Sequence, residues 1–277
     1  MRPLILVTND DGLHSPGLLA AAEAVIDLGD LLIAAPATQQ TSMSRAFVTG
    51  DDIGAITRHE LHVAGRTVAG YSVVGSPVVA VTHALLELAT RVPDLCISGI
   101  NYGENVGGAL GVSGTVSAAL EAEAHGVPGV AASVQVDVAS WRRFDDLDWS
   151  AAQHFTRALA RQVLADGLPP DVAVLNVNIP RGATPNTEIR RTVQSRQPYY
   201  VHSLPEGTRV PTDPLRLQIA AKVDADQLET ESDIRAIICD GVVSVTPLSW
   251  SMTAHTDWQP RAQYLDDGGL GNQLDPR

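Results

Sequence analysis

Cysteine, basic side chains and long apolar runs are all scarce in this chain, and each shortage closes a route. Its two cysteines, Cys96 and Cys239, sit in separate apolar runs without CxxC spacing, and so read as reduced core residues of a cytoplasmic protein. Lys and Arg number 19 against 32 Asp and Glu, a formal net charge of −13. A nucleic-acid duplex needs a basic face to meet its phosphates, so none is expected as a partner. A small phosphorylated ligand stays open, because one cation and a few donors can hold it. No apolar run reaches the length of a bilayer span, and strand-like residues begin at Leu4, which leaves no place for a signal peptide. The 8 histidines form no HxxxH or HxH cluster, which argues against zinc. Three further motifs are missing: the GxSxG elbow of an α/β-hydrolase, the GxxxxGK(S/T) of a P-loop, and a GxGxxG after the first strand.

What is present is a chain of 277 residues, 44% hydrophobic and 18% charged, long enough for one large domain with an ample core. Over its first half, short apolar runs alternate with helical patterns, the signature of βαβ units. Sheet strands are expected at Leu4–Val7, Leu31–Ala35, Tyr71–Val74 and Leu95–Ser98, and helices at Gly17–Leu28, Val78–Ala89 and Thr115–Ala124. Thr57–Ala69 reads as a pair of short strands around a turn at Gly65. Val130–Ser133 and Val172–Asn176 look like further buried strands, with a helix over Ala151–Leu164 between them. The expected fold is α/β: a Rossmann-like parallel sheet with helices on both faces, its first four sheet strands in the order 3-2-1-4. From Thr184 the sequence turns polar and Pro-containing. Residues 1–183 are therefore read as the catalytic core and 184–255 as an extended arm with a returning strand, strand-like over Leu215–Val223 and Val242–Pro247. Residues 256–277 read as a polar, disordered tail.

The first strand exits into Thr8-Asn9-Asp10-Asp11-Gly12, two adjacent carboxylates with no Lys or Arg close in sequence. Ligands of open α/β sheets bind outside the carboxyl ends of the strands, so these acids need a cation, and oxygen ligands favour Mg²⁺, Mn²⁺ or Ca²⁺. The plain alternative is a solvated Asp-Asp-Gly turn. In the order 3-2-1-4 the fourth strand lies beside the first, and its exit at Ser98-Gly99-Ile100-Asn101 brings the Asn101 amide up to Asp10 and Asp11. The stretch from Tyr102 to Thr115 is rich in glycine and ends in Ser113-Gly114-Thr115 at a helix start, where free N–H groups and the helix dipole favour an anion. The second strand leaves through Pro36-Ala37-Thr38-Gln39-Gln40-Thr41-Ser42-Met43-Ser44, a loop with several hydroxyls within reach of the same cleft. Metal plus phosphate is the constellation these segments compose.

Ile5-Leu6-Val7-Thr8-Asn9-Asp10-Asp11-Gly12, followed by His14-Ser15-Pro16-Gly17, resembles the opening of the SurE family (survival protein E). Ala35-Pro36, Gly75-Ser76-Pro77 and Ser98 to Asn105 resemble its next motifs in order, and Ser113 to Ala119 and Val242 to Leu248 complete the series over roughly residues 3–250. The resemblance implies a divalent-metal-dependent 5′-nucleotidase that hydrolyses nucleoside monophosphates, with one metal ion per subunit. It carries the metal ligands onto Asp10, Asp11, Asn101 and a hydroxyl after Pro36, which is Thr41 here, with Ser42 next. It places Asp10 at the chemistry, as the group that orients or deprotonates the attacking water or that forms an aspartyl-phosphate. Asn9, Ser113, Gly114 and Thr115 then serve as phosphate donors. It also implies an arm, 184–223, exchanged between subunits of a homodimer or homotetramer. The chain departs from the family at Val112, which replaces an aromatic or imidazole side chain, at Ala109, near a frequent Asp, and at Val79-Ala80, in place of Asp-Cys. These departures keep a second reading in view: a catalytically weakened nucleotide-binding or scaffold protein on the same fold.

Overall fold

Leu4–Thr8 form strand β1, and Ile5, Leu6 and Val7 are each fully buried, as a parallel strand covered on both faces requires. The period of two then sorts the core. Ile5 and Val7 point to one face, where Ile33 of β2 (Asp30–Pro36) and Leu95 and Ile97 of β5 (Leu95–Tyr102) meet helices α1 (Pro16–Val25) and α4 (Ser150–Asp166). Leu6, Leu32, Ala34 and Cys96 point to the other, against α2 (Pro77–His83) and α3 (Gly114–Ala124). Helices therefore cover both faces. Helices α1, α2 and α3 start by one device: Ser15, Ser76 and Ser113 hold extended backbone, and each hydroxyl accepts the N–H three residues on. In α1 and α2 a proline follows at the first helical position, where its missing N–H costs nothing. The structure, a computed structural model, describes residues 2–207, 217–254 and 256.

The main sheet has nine strands in the order β3-β4-β2-β1-β5-β6-β7-β11-β8. Strands β4 (Arg66–Val73), β2, β1, β5, β6 (Gly129–Val134) and β7 (Val174–Ile179) run parallel. Outside them, β3 (Ile56–Val63) pairs antiparallel with β4, and β11 (Val243–Leu248) antiparallel with β7. The expected order 3-2-1-4 corresponds to β4-β2-β1-β5, which puts the topological switch point between β1 and β5.

Several local expectations change. Thr57–Ala69 and Tyr71–Val74 are one hairpin rather than a strand pair followed by a separate strand. Ala64 and Gly65, both at positive φ (47° and 75°), close a two-residue turn, and β4 runs unbroken through Tyr71. The α-helix expected to reach Ala89 ends at His83, and Ala84–Leu88 continue it as a wider π turn. Cys239 is exposed, whereas Cys96 is buried. The short helical stretch that carries Cys239 turns Ala236 and Ile237 inward, so an apolar run of one-sided burial looked like core.

The sheet extends past residue 183: β8 (Ile189–Arg191) and the returning β11 occupy its far edge. Only β9 (Tyr200–Ser203) and β10 (Gln218–Ala221) stand apart, as a two-stranded antiparallel sheet. The residues read as a disordered tail, and the start of the strand expected from Leu215, lie outside the described residues, apart from Thr256. Tyr199, expected in a polar arm, is 1% exposed and packs with Val106, Leu228, Ile234 and Ile237 in a small core of its own. No helix among the described residues is long and apolar enough to cross a membrane.

Candidate metal and phosphate site

Asp10 and Asp11 leave β1 at the switch point and are only 5% and 6% exposed. A turn built by Asn9 fixes their direction. Its side-chain oxygen accepts the Gly12 N–H at 3.1 Å, while its Nδ2 donates to Gly12 O at 3.2 Å and to Ser15 Oγ at 2.6 Å. Both amide hydrogens are thereby used, and Asn9 is fully buried. In this structure Asn9 braces the loop that carries the two acids.

Three segments converge on the two acids. From α3, Thr115 Oγ1 donates to Asp10 Oδ1 at 2.7 Å. From the loop after β2, Gln39 Nε2 donates to Asp11 Oδ1 at 2.8 Å, and the Gln40 N–H donates to the Asp10 carbonyl at 2.7 Å. From β5, the Tyr102 N–H donates to Asp11 Oδ2 at 3.3 Å. Asn101 Nδ2 donates to Gly103 O at 2.6 Å, which sets the amide so that Oδ1 is its remaining donor atom for a cation.

Around them lies a cleft open to solvent. Asp10, Asp11, Thr41, Ser42, Asn101 and Ser113 all border it, as does Gly114. Thr115 does not; it sits behind Asp10, fully buried. Ala109 and Val112 also border the space, so the departures from the family motif fall on its wall. The loop carrying Thr41 is pinned on two sides: Ser44 Oγ donates to Gly111 O at 3.0 Å, and Arg45 pairs with the buried Glu121 of α3 at 2.5 Å.

Burial raises both carboxyls above the usual carboxylate range. Asp10 is pushed up to about 6, against the opposing bond from Thr115. Asp11 is pushed up to about 7 by burial and then by the charge of Asp10, against the bonds from Gln39 and Tyr102. No Lys, Arg or His lines the space. Two buried acids that repel each other and lack a cationic side chain fit a hard divalent ion. No group of three or more His, Cys, Asp or Glu gathers among the described residues. The donor set is thus two carboxylates completed by neutral oxygens, a combination suited to Mg²⁺, Mn²⁺ or Ca²⁺ rather than zinc. Facing it, α3 begins at Gly114, where the N–H groups of the first turn have no partner within the helix.

Four residues of this site went unread in the sequence. Gln39 lay in a loop quoted only for hydroxyls, and Glu104 in a motif quoted only for Asn101. Trp141 and Tyr200 come from segments distant in sequence, and both border the space. A lone Trp141 and the adjacent Tyr199-Tyr200 in otherwise polar stretches are the one signal the sequence offers for them.

The family model for Survival protein SurE matches residues 5–201. A protein of Thermococcus kodakarensis named 5′-nucleotidase SurE is 38% identical over 92% of this chain and 95% of its own length. One of the same name from Methanocella arvoryzae is 40% identical over 90% of this chain and 93% of its own. Among solved structures, the SurE protein of Aquifex aeolicus superposes with a TM-score of 0.70 at 28% identity, covering 91% of this chain and 95% of that one.

Proposed function

The chain belongs to the SurE family, and from that premise we propose that it is a 5′-nucleotidase: a divalent-metal-dependent phosphatase that hydrolyses nucleoside 5′-monophosphates to nucleoside and phosphate. The observation that carries the reading is the pair Asp10–Asp11. Buried, raised and without a cationic neighbour, it stands at the switch point opposite the N-terminus of α3. One divalent ion per subunit, held by Asp10, Asp11, Asn101 and Thr41, would neutralise the acids and polarise the phosphoryl group. The chain's own groups do the rest. The Gly114 N–H and the Ser113 hydroxyl donate to phosphate oxygens, where the helix dipole adds favourable potential. Thr115 holds Oδ1 of Asp10 and so fixes where Oδ2 points. Asp10 either takes the proton of the attacking water or attacks phosphorus itself, and borohydride trapping of an acyl phosphate separates the two. A cytoplasmic location and a homodimer or homotetramer held through residues 184–223 belong to the same proposal.

Phosphate release from a panel of nucleoside monophosphates, with EDTA and with Mg²⁺ or Mn²⁺ restored, tests the activity. Release only with added metal is expected. Release in EDTA, or none with any metal, would sink the reading, and nucleotide binding without turnover would favour the scaffold alternative.

Thr41 and Ser42 both border the space, and Ser42 has positive φ (64°). Thr and Ser offer the same oxygen to a cation. Thr41→Ser should therefore keep metal-dependent turnover, Thr41→Val should weaken Mn²⁺ binding about tenfold or more, and Ser42→Ala should change little. Calorimetric Mn²⁺ titration checks the series, and the reverse pattern would move the ligand to Ser42. Light scattering behind size exclusion should give at least twice the chain mass of 29.3 kDa. A strict monomer at micromolar concentration would refute arm exchange.

A further inference from the structure

The loop that carries Thr41 has a shape its own residues do not favour. Ser42 and Ser44 both take positive φ (64° and 49°), which side chains other than glycine rarely adopt unless their surroundings impose it. Within the loop, the Met43 N–H reaches Gln40 O and the Ala46 N–H reaches Met43 O, both at 3.2 Å. These are turn contacts, and they do not decide where Thr41 points. Groups outside the loop must do so.

Several of those groups meet at Arg45. Its guanidinium pairs with Glu121 Oε2 at 2.5 Å, and its Cζ lies 4.7 Å from the centroid of the Trp250 indole. Both partners are themselves fixed. Glu121 Oε1 accepts the Thr82 hydroxyl at 3.3 Å and stands 3.5 Å from His125 Nε2, so the carboxylate is set on α3 independently of the loop. The Trp250 indole N–H donates to Glu123, also on α3. Trp250 stands two residues past Leu248, the last residue of β11. The Leu248 carbonyl accepts the Ala173 N–H at 2.8 Å, and its side chain packs on the cluster that holds Val116 and Ala119 of α3. Arg45, Glu121 and Trp250 do not border the cleft, so any hold they have on the site passes through the loop.

We infer that the Arg45–Glu121 pair, with Trp250 closed over it, is a clamp that positions Thr41 for the metal ion. The segment following β11 then sets the metal affinity of a site it does not touch, and Arg45 and Trp250 are positioning residues. The inference rests on the metal site proposed above and adds residues that act on it from a distance. A guanidinium suits the task because it offers an edge to a carboxylate and a face to an aromatic ring at the same time. The indole also keeps water from one face, and an ion pair shielded from water is stronger than an open one. Helix α3 thus serves the site twice, with its first turn at the phosphate and with Glu121, two turns on, at the metal loop.

Two measurements on the full chain test the clamp. In metal-free protein, Trp250→Ala and Arg45→Met should each speed amide hydrogen exchange over Gln40–Ala46 by at least about threefold. In calorimetric Mn²⁺ titration, Trp250→Ala, which changes no charge, should weaken binding by at least about threefold, and Arg45→Met by about tenfold. Trp250→Phe keeps a ring over the guanidinium and should stay within about twofold of wild type. With Thr41→Val already present, Trp250→Ala should weaken Mn²⁺ binding no further, because the two act through one oxygen. The sign at Arg45 is decisive: removing a cation that acted only by its charge would tighten Mn²⁺ binding, whereas a lost positioning residue weakens it. Tighter binding in Arg45→Met, or unchanged affinity or unchanged exchange in both variants, would overturn the clamp. A wild type that binds no Mn²⁺ would sink the metal site instead, and the exchange rates alone would then decide whether Arg45 and Trp250 hold the loop.

Discussion

Asp11→Asn should abolish Mn²⁺ binding and lower kcat/KM by at least about a thousandfold, the few kcal/mol that a bound cation contributes to a phosphoryl transition state. The substitution is nearly isosteric and the fold should persist, although its single amide oxygen can accept from only one of Gln39 Nε2 and the Tyr102 N–H, which in the wild type bond separate carboxylate oxygens. Without metal, the variant should be more stable than the wild type, because a neutral amide removes the repulsion of Asp10 and the cost of burying a second charge. The pH dependence has a definite sign. Asp11 rises from 3.8 to about 7 on folding, so between those values the folded chain binds more protons than the unfolded one. Stability of the metal-free wild type should therefore fall as pH rises from 3.8 towards 7 and level off above it, and Asp11→Asn should lose much of that slope. Divalent metal competes with these protons, so its affinity should climb over the same window. Thermal melts across pH and calorimetric titration check each part. Wild-type Mn²⁺ affinity in the variant would remove Asp11 from the ligand set.

Gly114→Ala should cost about a hundredfold in kcat/KM, although it adds only one methyl group. The new Cβ would stand 2.7 Å from both Cβ and Oδ2 of Asp10, closer than Cβ atoms pack. Gly114 opens α3 in a helical conformation open to any residue, and alanine favours a helix by up to about 1 kcal/mol over glycine. Stability and activity should therefore separate: a melting temperature near wild type, with turnover lost because Asp10 or the start of α3 has moved. Wild-type kinetics would mean that the helix can slide without disturbing the carboxylate. A collapse in melting temperature would make the contact structural.

The frame of this site was legible because its signals are local. A continuous apolar run, its stop at two acids, the serine-proline helix starts and the glycine-rich approach to Ser113 are each written within about a dozen neighbouring residues. From them follow a parallel sheet and a cation site at the exit of β1. Misreadings arose where local pattern underdetermines structure. The β3–β4 hairpin read as three strands because Gly70, buried at mid-strand, resembles a break in the apolar pattern. Cys239 looked buried because one-sided burial in a short helix cannot be told from full burial over so few residues.

The sequence by itself determined which residues could hold a cation and which chain reversals would present them, since propensity, capping and turn chemistry act between neighbours. Tertiary structure alone decided which of them meet. Thr115 reaches Asp10 across 105 positions and Tyr199 reaches Glu104 across 95, while Asn9, the residue beside the acids, spends its amide on the turn. Trp141 joins Asp11 only because Gln39 stands between them, 102 positions from the tryptophan carbonyl it holds. Such bonds depend on how strands are ordered and how far each loop extends, and these are settled by burying the whole core at once. No neighbour-to-neighbour pattern records them.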